Sequence, residues 1–452
     1  MNILFSSMPI NLLDSYDLIS MRTVPTTAIY LLSAIIRTHG YHVEILDPCI
    51  IKKRLVSESI DSLFSNAVKD KDLICLSTNT LNWPMTIEAI SIVRKIKGNS
   101  IKIALGGLHP TYCYKHIYER YDVDYIMVGE GEETIISLLK CIENNKGFDL
   151  VDGLIVKNKT KKNLDNIVCP QIDTNTYNNL PLPAFDLLPN KIYNALPLET
   201  SRGCKYNCQF CSIAHRNNWR EFDESVVIKR NAEIIKQFQQ KYIKKEIFIT
   251  DDCLTADFGR ATRILQSIIN NAYDSSIMLE TRITDWEYIN NMEQIQVFSL
   301  PQISRLGFGV ECGYNAGLKQ ISKGLTIEKM ESVLTLLERN KLISKAYFSF
   351  IIGFPWENMD GCLKTIEFAA NLVKRYGNGI VNLNWLWLFP SRLWNDRHKY
   401  GITMDDSIFD DPQYWRHHYF TETHPLIDSN ARRYINEAIL DYEAKQIYLR
   451  NY

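Results

Sequence analysis

The chain has 452 residues, of which 46% are hydrophobic and 23% are charged, as is typical of a globular protein. Its 51 basic and 52 acidic residues leave a net charge of -1, which excludes the strong positive field that recruits nucleic acid or an anionic membrane surface. No apolar run reaches transmembrane length, the N-terminus lacks the basic start of a signal peptide, and the 11 cysteines fit a reducing compartment, so we expect a cytoplasmic protein without a membrane span.

Residues 1–150 are predicted to form a doubly wound α/β domain of the flavodoxin or Rossmann type, because short apolar strands alternate with segments of helical periodicity. A helix is expected from Ala28 to His39, with Gly40 as its C-terminal stop. Such alternation predicts a parallel sheet whose ligands bind at the carboxyl ends of the strands. The predicted strands are 2–6, 41–47, 73–77, 101–105 and 124–128.

Small and polar residues follow the last three of these strands, where a ligand of the sheet would bind. Glycines there let the backbone approach a large flat ligand closely. No G-x-G-x-x-G motif follows the first strand, which argues against a nicotinamide-binding domain. The pattern resembles that of cobalamin-binding domains, and the alternative is the same fold without the cofactor. The resemblance implies cobalamin contacts at Ser77, Thr78, Gly106, Gly107, His109, Gly129, Glu130 and Gly131.

Residues 151–195 are predicted to be a linker between two domains. Its stretch 180–189 contains prolines at short intervals, and each proline keeps the preceding residue out of the helical region. We therefore expect this segment to be extended and to have a structural role.

Three cysteines at positions 204, 208 and 211 form a Cys-x3-Cys-x2-Cys motif. Three thiolates at this spacing can hold one 4Fe-4S cluster and leave the fourth iron open, whereas clusters of electron carriers have four thiolates. A zinc site normally needs four ligands, often in two C-x2-C pairs, and the chain has no second pair. The remaining cysteines are predicted to be small buried hydrophobic residues: Cys49, Cys75, Cys113, Cys141, Cys169, Cys253, Cys312 and Cys362.

This motif, with Phe210 directly before the last cysteine, resembles the signature of the radical S-adenosylmethionine (radical SAM) enzymes. In that family the open iron binds the amino and carboxylate groups of S-adenosylmethionine (AdoMet), and electron transfer releases a 5′-deoxyadenosyl radical. The resemblance implies that Cys204, Cys208 and Cys211 are the metal ligands and catalytic residues, and that Phe210 lies beside the cofactor.

Residues 196–392 are predicted to contain repeated strand and helix units, which in the resembled family form a partial (β/α)6 barrel. Polar groups at the ends of barrel strands point into the barrel mouth. The predicted strands begin at residue 198 and continue with 246–252, 277–282, 306–313, 347–355 and 381–389. The positions that match family motifs are Asp251, Asp252, Arg282, Glu311, Gly313, Lys323, Gly324, Gly353 and Glu357, whereas Cys312 and Ser391-Arg392 depart from them.

AdoMet carries an ammonium, a carboxylate, a sulfonium and a ribose, so its pocket needs an acid, a base and hydroxyl acceptors. Arg282 and Glu311 supply charges of both signs, and the resemblance implies that they bind AdoMet together with Gly313. Each charged residue could equally form an internal ion pair at the barrel rim.

Residues 393–452 are predicted to be a small, mainly helical region that closes the substrate pocket, although its aromatic residues slightly favour the alternative of a plain packing layer over the barrel. A helix is expected at 432–450, and Asp396, His398 and Gly401 fit a D-x-H-x-x-G cobalt-ligand motif. The context of His398 after the barrel argues against that role, and a helix with a glycine stop is expected instead. The packing face of the C-terminal helix is predicted at Ala438, Leu440, Ala444 and Ile447, and the aromatic and histidine residues of the region are Trp394, Tyr414, Trp415, His417, His418, Tyr419, Phe420 and His424.

The two cofactors together imply a cobalamin-dependent radical SAM methyltransferase that acts on an unactivated carbon of a small molecule or peptide in a biosynthetic pathway. One alternative keeps both cofactors for a cyclisation, rearrangement or oxidation, and another is a cobalamin or iron-sulfur sensor. Methylthiotransferases are disfavoured, because the N-terminal domain of those enzymes brings three further cluster cysteines. We expect a reducing partner such as flavodoxin or ferredoxin and no nucleic-acid partner.

Overall fold

The computed structural model describes residues 1–10, 24–157, 164–287, 289, 292–412 and 423–449, and these residues form two compact units. The first unit contains the described residues up to 195, together with segments 237–244 and 404–412. The second unit contains the rest of the described chain from residue 196 onwards. Within these ranges, no helix is both long and apolar enough to cross a membrane.

The first unit contains a six-stranded sheet in the order β2-β1-β3-β4-β5-β6. Strands β1 to β5 pair in parallel, and β6 pairs antiparallel to β5. The order 2-1-3-4-5 is that of flavodoxin, which confirms the predicted doubly wound domain. The elements are β1 Asn2–Ser6, α1 Thr27–Thr38, β2 His42–Leu46, α2 Pro48–Arg54, α3 Ile60–Ala67, β3 Leu73–Ser77, α4 Trp83–Lys97, β4 Lys102–Gly106, α5 Leu108–Arg120, β5 Tyr125–Met127, α6 Glu132–Asn144, β6 Leu154–Val156 and α7 Thr174–Asn178.

The central strand β3 has the continuous apolar sequence of a strand buried on both faces. Leu73, Ile74, Cys75 and Leu76 are all buried, as expected for a parallel strand covered by helices on both faces. Such a strand is a continuous apolar run, and its ends lie where polar residues begin.

Asp47 ties the segment before the second unit to the first sheet. Its buried carboxylate accepts hydrogen bonds from the Tyr30 hydroxyl (2.6 Å) and the Tyr193 hydroxyl (2.9 Å). It also accepts a bond from the Cys49 backbone amide at the start of α2. Burial raises the pKa of Asp47, although the bonds from Tyr30, Cys49 and Tyr193 lower it. One buried carboxylate thus joins helices α1 and α2 to Tyr193, at the end of the predicted linker.

Residues 404–412 return to the first unit after the chain has passed through the second. Within them, the 3-10 helix Asp406–Asp410 contacts α4 and α5, and Phe409 is fully buried. The carboxylate of Asp410 accepts hydrogen bonds from Trp83 Nε1 (2.8 Å) and His116 Nε2 (2.8 Å). Burial alone would raise the pKa of Asp410, but the bonds from His116, Tyr121 and Trp83 outweigh it and lower the pKa.

The second unit contains a six-stranded sheet in the order β14-β13-β12-β11-β10-β7, and β10 to β14 pair in parallel with their sequence neighbours. Each of these strands is followed by at least one helix, as predicted for the second domain. The elements are β7 Ala195–Leu198, β8 Ser201–Arg202, β9 Arg220–Glu221, α8 Glu224–Phe238, β10 Glu246–Ile249, α9 Phe258–Asn271, β11 Ser276–Thr281, α10 Ile283–Trp286, α11 Met292–Ser299, β12 Ile303–Glu311, α12 Asn315–Gln320, α13 Ile327–Arg339, β13 Ala346–Ile352, α14 Met359–Tyr376, β14 Val381–Trp385, α15 Arg392–Asn395 and α16 Ser429–Ala444.

The C-terminal helix α16 packs against α14, but through a different face from the one predicted. Ile435 and Ile439 are its buried residues, whereas Leu440 is 54% exposed and Ala444 is also exposed. The prediction of the face was wrong because the spacing of Ile435 and Ile439, one turn apart, was overlooked. The predicted helix at Asp396–Gly401 is a 3-10 helix, Arg397–Tyr400, that ends at Gly401 with φ +72°. Residues 413–422, with most of the aromatic residues predicted to close a pocket, lie outside the described residues.

Replacement of Asp410 by alanine should destabilise the protein by about 2 kcal/mol, because the buried Trp83 and His116 donors lose their acceptor. Chemical denaturation followed by tryptophan fluorescence measures this loss. Glu88→Ala, at an exposed position of α4, is the control and should change stability by less than about 0.5 kcal/mol. The difference should shrink as the pH falls, because protonation of Asp410 in the wild type removes the same acceptor. Equal stabilities of the two variants at neutral pH would contradict this role.

Candidate active site at the three-cysteine loop

Asp251 fixes the point at which the cysteine loop leaves the second sheet. It follows β10, and its carboxylate accepts hydrogen bonds from the Thr200 amide (2.7 Å) and from the hydroxyls of Thr200 and Ser201. Arg260 donates to the Thr200 carbonyl (2.7 Å) from the other direction. Burial raises the pKa of Asp251 to about 7, even though the bonds from Ser201 and Thr200 lower it. Asp251, which was predicted at this strand end, therefore fixes the backbone where the cysteine loop begins.

Gly203 allows the loop to turn directly before the first cysteine. Its φ is +75°, and an added Cβ would lie 2.2 Å from the Asn218 carbonyl oxygen. Its amide donates to Asp252 Oδ2 (3.1 Å). Two backbone hydrogen bonds then close the loop: the Cys204 amide donates to the His215 carbonyl, and the Asn218 amide donates to the Cys204 carbonyl. Only glycine fits both the backbone angle and the close contact.

The three cysteines lie on this one loop with different exposures. Cys204 and Cys208 are buried, and Cys211 is half-buried. A hydrogen bond with the Cys253 thiol lowers the pKa of Cys204 to about 7, whereas burial raises the pKa of Cys211 to about 11. The negative charges on Cys204 and Cys208 also raise the pKa of Cys211, so the three sulfurs lie within electrostatic range of one another.

Among the described residues, no three His, Cys, Asp or Glu side chains are grouped closely enough to hold one ion. An iron-sulfur cube makes a different demand on its ligands, because each thiolate binds its own iron. Between the second and third cysteines, the Gln209 amide donates to the Ile321 carbonyl (3.1 Å) and holds the middle of the loop.

Two arginines contact the cysteines: Arg216 donates to the Cys211 carbonyl (2.6 Å), whereas Arg282 donates to a cysteine sulfur. Its Nη1 donates to Cys208 Sγ (3.3 Å), and its Nη2 donates to the Lys323 carbonyl (2.6 Å). The guanidinium lies 3.6 Å from the centre of the Tyr206 ring. Its Nε is buried and has no hydrogen-bond partner among the described residues. Arg282, which was predicted to bind AdoMet, thus contacts a cysteine of the motif, and its Nε donor has no acceptor among the described residues.

Glu311 forms a buried ion pair with Lys323, whose Nζ lies 2.9 Å from Glu311 Oε1. The sequence left this possibility open beside AdoMet binding. Glu311 also has φ +77°, a left-handed conformation that is strained in residues other than glycine. The same Lys323 Nζ lies 5.9 Å from the centre of the Phe210 ring, and Phe210 packs edge-on against Phe354 at 5.6 Å. The structure therefore brings together five residues that all match family motifs in the sequence: Cys208, Arg282, Lys323, Glu311 and Phe210.

Gly313 and Glu357 have packing roles in this structure. A Cβ on Gly313 would lie 2.7 Å from Phe368 Cβ, so glycine allows α14 to approach the strand closely. Glu357 accepts hydrogen bonds from the Phe354 amide (2.9 Å) and the Tyr314 hydroxyl (2.9 Å). AdoMet contact at Gly313 remains a prediction.

The prediction that every other cysteine is buried was wrong for Cys169, which is exposed, and for Cys49, which is half-buried. Cys253 is buried as predicted, but its hydrogen bond with Cys204 was missed. Its place directly after Asp251 and Asp252 at a strand end was the only sequence feature that could have indicated it. Tyr206 lies inside the cysteine motif and Lys323 matches a family motif, but neither pattern indicated that both residues would contact Arg282.

A cavity of about 480 Å³ adjoins the cysteine loop within the second unit. Its size lies in the range of small-molecule sites. Charged residues of both signs line it, and the Tyr206 hydroxyl and Thr255 hydroxyl both bond to Asp285. Six of the lining residues are Lys205, Tyr206, Thr255, Asp285, Gly324 and Lys329.

The predicted cobalamin contacts lie at the carboxyl edge of the first sheet. Ser77 pairs with Gly106 across β3 and β4, and both are half-buried. Gly107 has φ +103°, and an added Cβ would lie 2.4 Å from the Thr78 carbonyl oxygen. The Thr78 hydroxyl is buried and bonds to Asn82 (2.7 Å). Gly107 and Thr78 therefore stabilise the backbone turns that follow β4 and β3, while Ser77 and Gly106 remain partly exposed at the edge of the sheet.

The predicted cobalamin contacts that follow β5 also have structural roles in the backbone. Gly129 has φ +83°, and an added Cβ would lie 2.7 Å from the Pro170 carbonyl oxygen. Glu130 Oε2 accepts a hydrogen bond from the Ile172 amide (2.6 Å). Gly131 is the N-terminal cap of α6. These residues hold the predicted linker segment against the sheet edge and remain half-buried.

His109 has no exposed surface. Its ring stacks on Trp83 at 4.6 Å, and its Nδ1 lies 3.3 Å from the Thr80 hydroxyl. Burial lowers the pKa of His109 to about 3, and its Nε2 has no partner among the described residues. Of the predicted cobalamin contacts, it is therefore the one that this geometry supports least.

Two family models match the chain. Residues 22–139 match the "B12 binding domain", and residues 198–369 match the "Radical SAM superfamily". The chain contains a B12-binding domain and a radical SAM domain. These matches confirm the two resemblances predicted from the sequence, including the order of the domains.

The chain is similar to curated proteins over most of its length. The chain is 26% identical over 382 residues to 4'-phospho-dehydrooxetanocin synthase of Priestia megaterium, covering 76% of this chain and 50% of the relative. It is 27% identical over 325 residues to "uncharacterized methyltransferase PH0819" of Pyrococcus horikoshii, covering 69% of this chain and 68% of the relative. The chain thus spans half the length of the first of these relatives.

Solved structures support the fold of both domains together. OxsB, a cobalamin-dependent S-adenosylmethionine radical enzyme solved with aqua-cobalamin and AdoMet, has a TM-score of 0.66 and 22% identity, covering 82% of this chain and 52% of OxsB. TsrM, a radical AdoMet methyltransferase from Kitasatospora setae solved with tryptophan and an AdoMet analogue, has a TM-score of 0.66 and 13% identity, covering 89% of this chain and 77% of TsrM.

Gly203→Ala should remove most of the iron that the wild type binds after anaerobic reconstitution, because the new Cβ would collide with the Asn218 carbonyl and displace the loop. Gly379→Ala is the matched control. Gly379 also has positive φ (+90°) but meets no atom within 4 Å, so it should cost only about 1–2 kcal/mol of stability and leave the iron content unchanged. Equal iron contents in the two variants would show that the close contact at Gly203 does not shape the loop.

Proposed function

We propose that Cys204, Cys208 and Cys211 hold a 4Fe-4S cluster whose open iron binds AdoMet. The observation that carries the proposal is the meeting of three thiols on one anchored loop with the guanidinium of Arg282, whose Nη1 lies 3.3 Å from Cys208 Sγ. Thiolates bound to iron are negatively charged, so a buried cation beside them offsets part of the cost of burial. The unused donor at Arg282 Nε supports a further acceptor at this site.

We further propose that the first unit binds cobalamin at the carboxyl edge of its sheet. Ser77 and Gly106 would face the cofactor directly, and Gly129, Glu130 and Gly131 would form the neighbouring part of the edge. Gly107 and Thr78 would shape the turn that supports them. The match of residues 22–139 to the B12 binding domain supports this assignment.

With both cofactors bound, the cluster would supply the electron that cleaves AdoMet, and cobalamin would supply a methyl group. We infer that the protein methylates an unactivated carbon of a small molecule or peptide in a biosynthetic pathway. A methyltransferase among the relatives and the methyltransferase TsrM among the solved structures support this reaction. A one-electron reducing partner such as flavodoxin or ferredoxin would serve the cluster. The cavity of about 480 Å³ beside the loop suits a ligand of small-molecule size.

A second candidate keeps both cofactors but transfers no methyl group. The relative from Priestia megaterium is named a synthase rather than a methyltransferase, which favours a cyclisation, rearrangement or oxidation as the alternative. The two candidates share every residue of the site and differ in the fate of AdoMet.

Gly106→Phe in the full chain should abolish retention of hydroxocobalamin during gel filtration, measured by visible absorbance. A Cβ at Gly106 meets no atom closer than 4.0 Å, so a larger side chain should fold and obstruct the edge rather than break the turn. His398→Ala is the control and should retain cobalamin as the wild type does. Retention by Gly106→Phe would contradict the proposed edge. Loss in His398→Ala would instead assign cobalt binding to the D-x-H-x-x-G segment.

Methyl transfer predicts that each turnover consumes two AdoMet molecules, one giving 5′-deoxyadenosine and one giving S-adenosylhomocysteine. Both yields, measured by mass spectrometry with candidate substrates under reducing conditions, should rise together, and methyl-labelled AdoMet should label the product. Replacement of Cys204, Cys208 and Cys211 together by alanine should abolish 5′-deoxyadenosine formation and bound iron. Deoxyadenosine without homocysteine product or transferred label would select the second candidate.

A further inference from the structure

We propose that Arg282 is a positioning residue that raises the reduction potential of the cluster through its hydrogen bond to the Cys208 thiolate. The inference rests on the proposed cluster and gives Arg282 a different role from the AdoMet contact that the sequence predicted. In the structure the Cys208 thiol stands in for the thiolate that would bind iron. The donor Nη1 lies 3.3 Å from Sγ, within the range of hydrogen bonds to sulfur.

The guanidinium is held in this orientation from two further sides. Nη2 donates to the Lys323 carbonyl (2.6 Å), and the Tyr206 ring lies 3.6 Å from the guanidinium carbon. Lys323 is itself fixed by its ion pair with Glu311. Since these contacts leave little freedom of rotation, Nη1 is directed at Cys208 by the fold and not by a mobile side chain.

Tyr206 is in turn fixed by a buried acid. Its hydroxyl bonds to Asp285, whose side chain is 1% exposed, and Thr255 donates to the same carboxylate (2.6 Å). The Thr284 hydroxyl lies 3.3 Å from the Tyr206 hydroxyl. A chain of contacts therefore runs from Asp285 through Tyr206 to Arg282 and ends at the sulfur of Cys208. Supporting groups of this kind orient metal ligands and tune the metal in other proteins.

The sign of the effect follows from charge. Reduction adds one electron to the cluster, and a nearby positive charge together with a hydrogen bond to sulfur stabilises the more negative, reduced form. The Glu311 carboxylate does not cancel this charge, because Lys323 already pairs with it. Arg282 should therefore make the cluster easier to reduce, which is the step that AdoMet cleavage requires.

The test is an anaerobic redox titration of the full chain, reconstituted with iron and sulfide and followed by electron paramagnetic resonance of the reduced cluster. It needs neither substrate nor cobalamin. Arg282→Gln should shift the midpoint potential to a more negative value, and Arg282→Lys, which keeps the charge but not the planar donor pair, should lie between it and the wild type. Arg305→Gln is the matched control, because Arg305 lies over Tyr347 at 3.9 Å and should leave the potential unchanged.

Equal midpoint potentials of the wild type and Arg282→Gln, at equal iron content, would overturn the inference and leave the proposed function intact. Failure of both Arg282 variants to bind iron, with normal iron in Arg305→Gln, would also overturn it in favour of a role in cluster assembly. A wild-type chain that binds no cluster would overturn the proposed function and the inference together.

Discussion

The buried carboxylate of Asp251 is the constraint on which the site depends. It accepts bonds from the Thr200 amide and from two hydroxyls, while Arg260 holds the Thr200 carbonyl. These groups fix the backbone immediately before Gly203, and the cysteines can adopt one arrangement only because the loop starts from a fixed point. Burial raises the pKa of Asp251, and the hydrogen bonds from Thr200 and Ser201 offset part of the cost of burying its carboxylate.

Three charged groups near the cysteines have different partners. Lys323 neutralises Glu311, Asp285 orients Tyr206, and Arg282 faces the sulfur of Cys208. A pairing of Arg282 with Glu311 would have left the Cys208 sulfur without this hydrogen-bond donor. Glu311 has a strained backbone, with φ +77°, at the position where its carboxylate forms the ion pair with Lys323.

Local patterns predicted most of the fold. Strands such as β1 and β3 are apolar runs with polar ends, and the cysteine motif lies within eight consecutive residues. The contacts between Arg282 and Cys208 and between Glu311 and Lys323 could be anticipated only as a meeting of strand ends, because their distances depend on tertiary structure. The sequence also could not indicate that the glycines of the first sheet mainly relieve close contacts with Thr78 and Pro170. A glycine required by packing and one required by a ligand look the same in a sequence.

The return of residues 404–412 to the first unit has a consequence for the order of synthesis. The last strand of that unit's sheet ends at residue 156, yet Phe409 and Asp410 come about 250 residues later, after most of the second unit in sequence. At translation rates of about 5–20 residues per second, roughly 10–50 s separate the emergence of the sheet from that of its last segment. During this interval Trp83 and His116 lack the acceptor that they have in the finished protein. The first unit can therefore reach its final packing only after most of the second has been made, so the domain that begins the sequence is completed late in time.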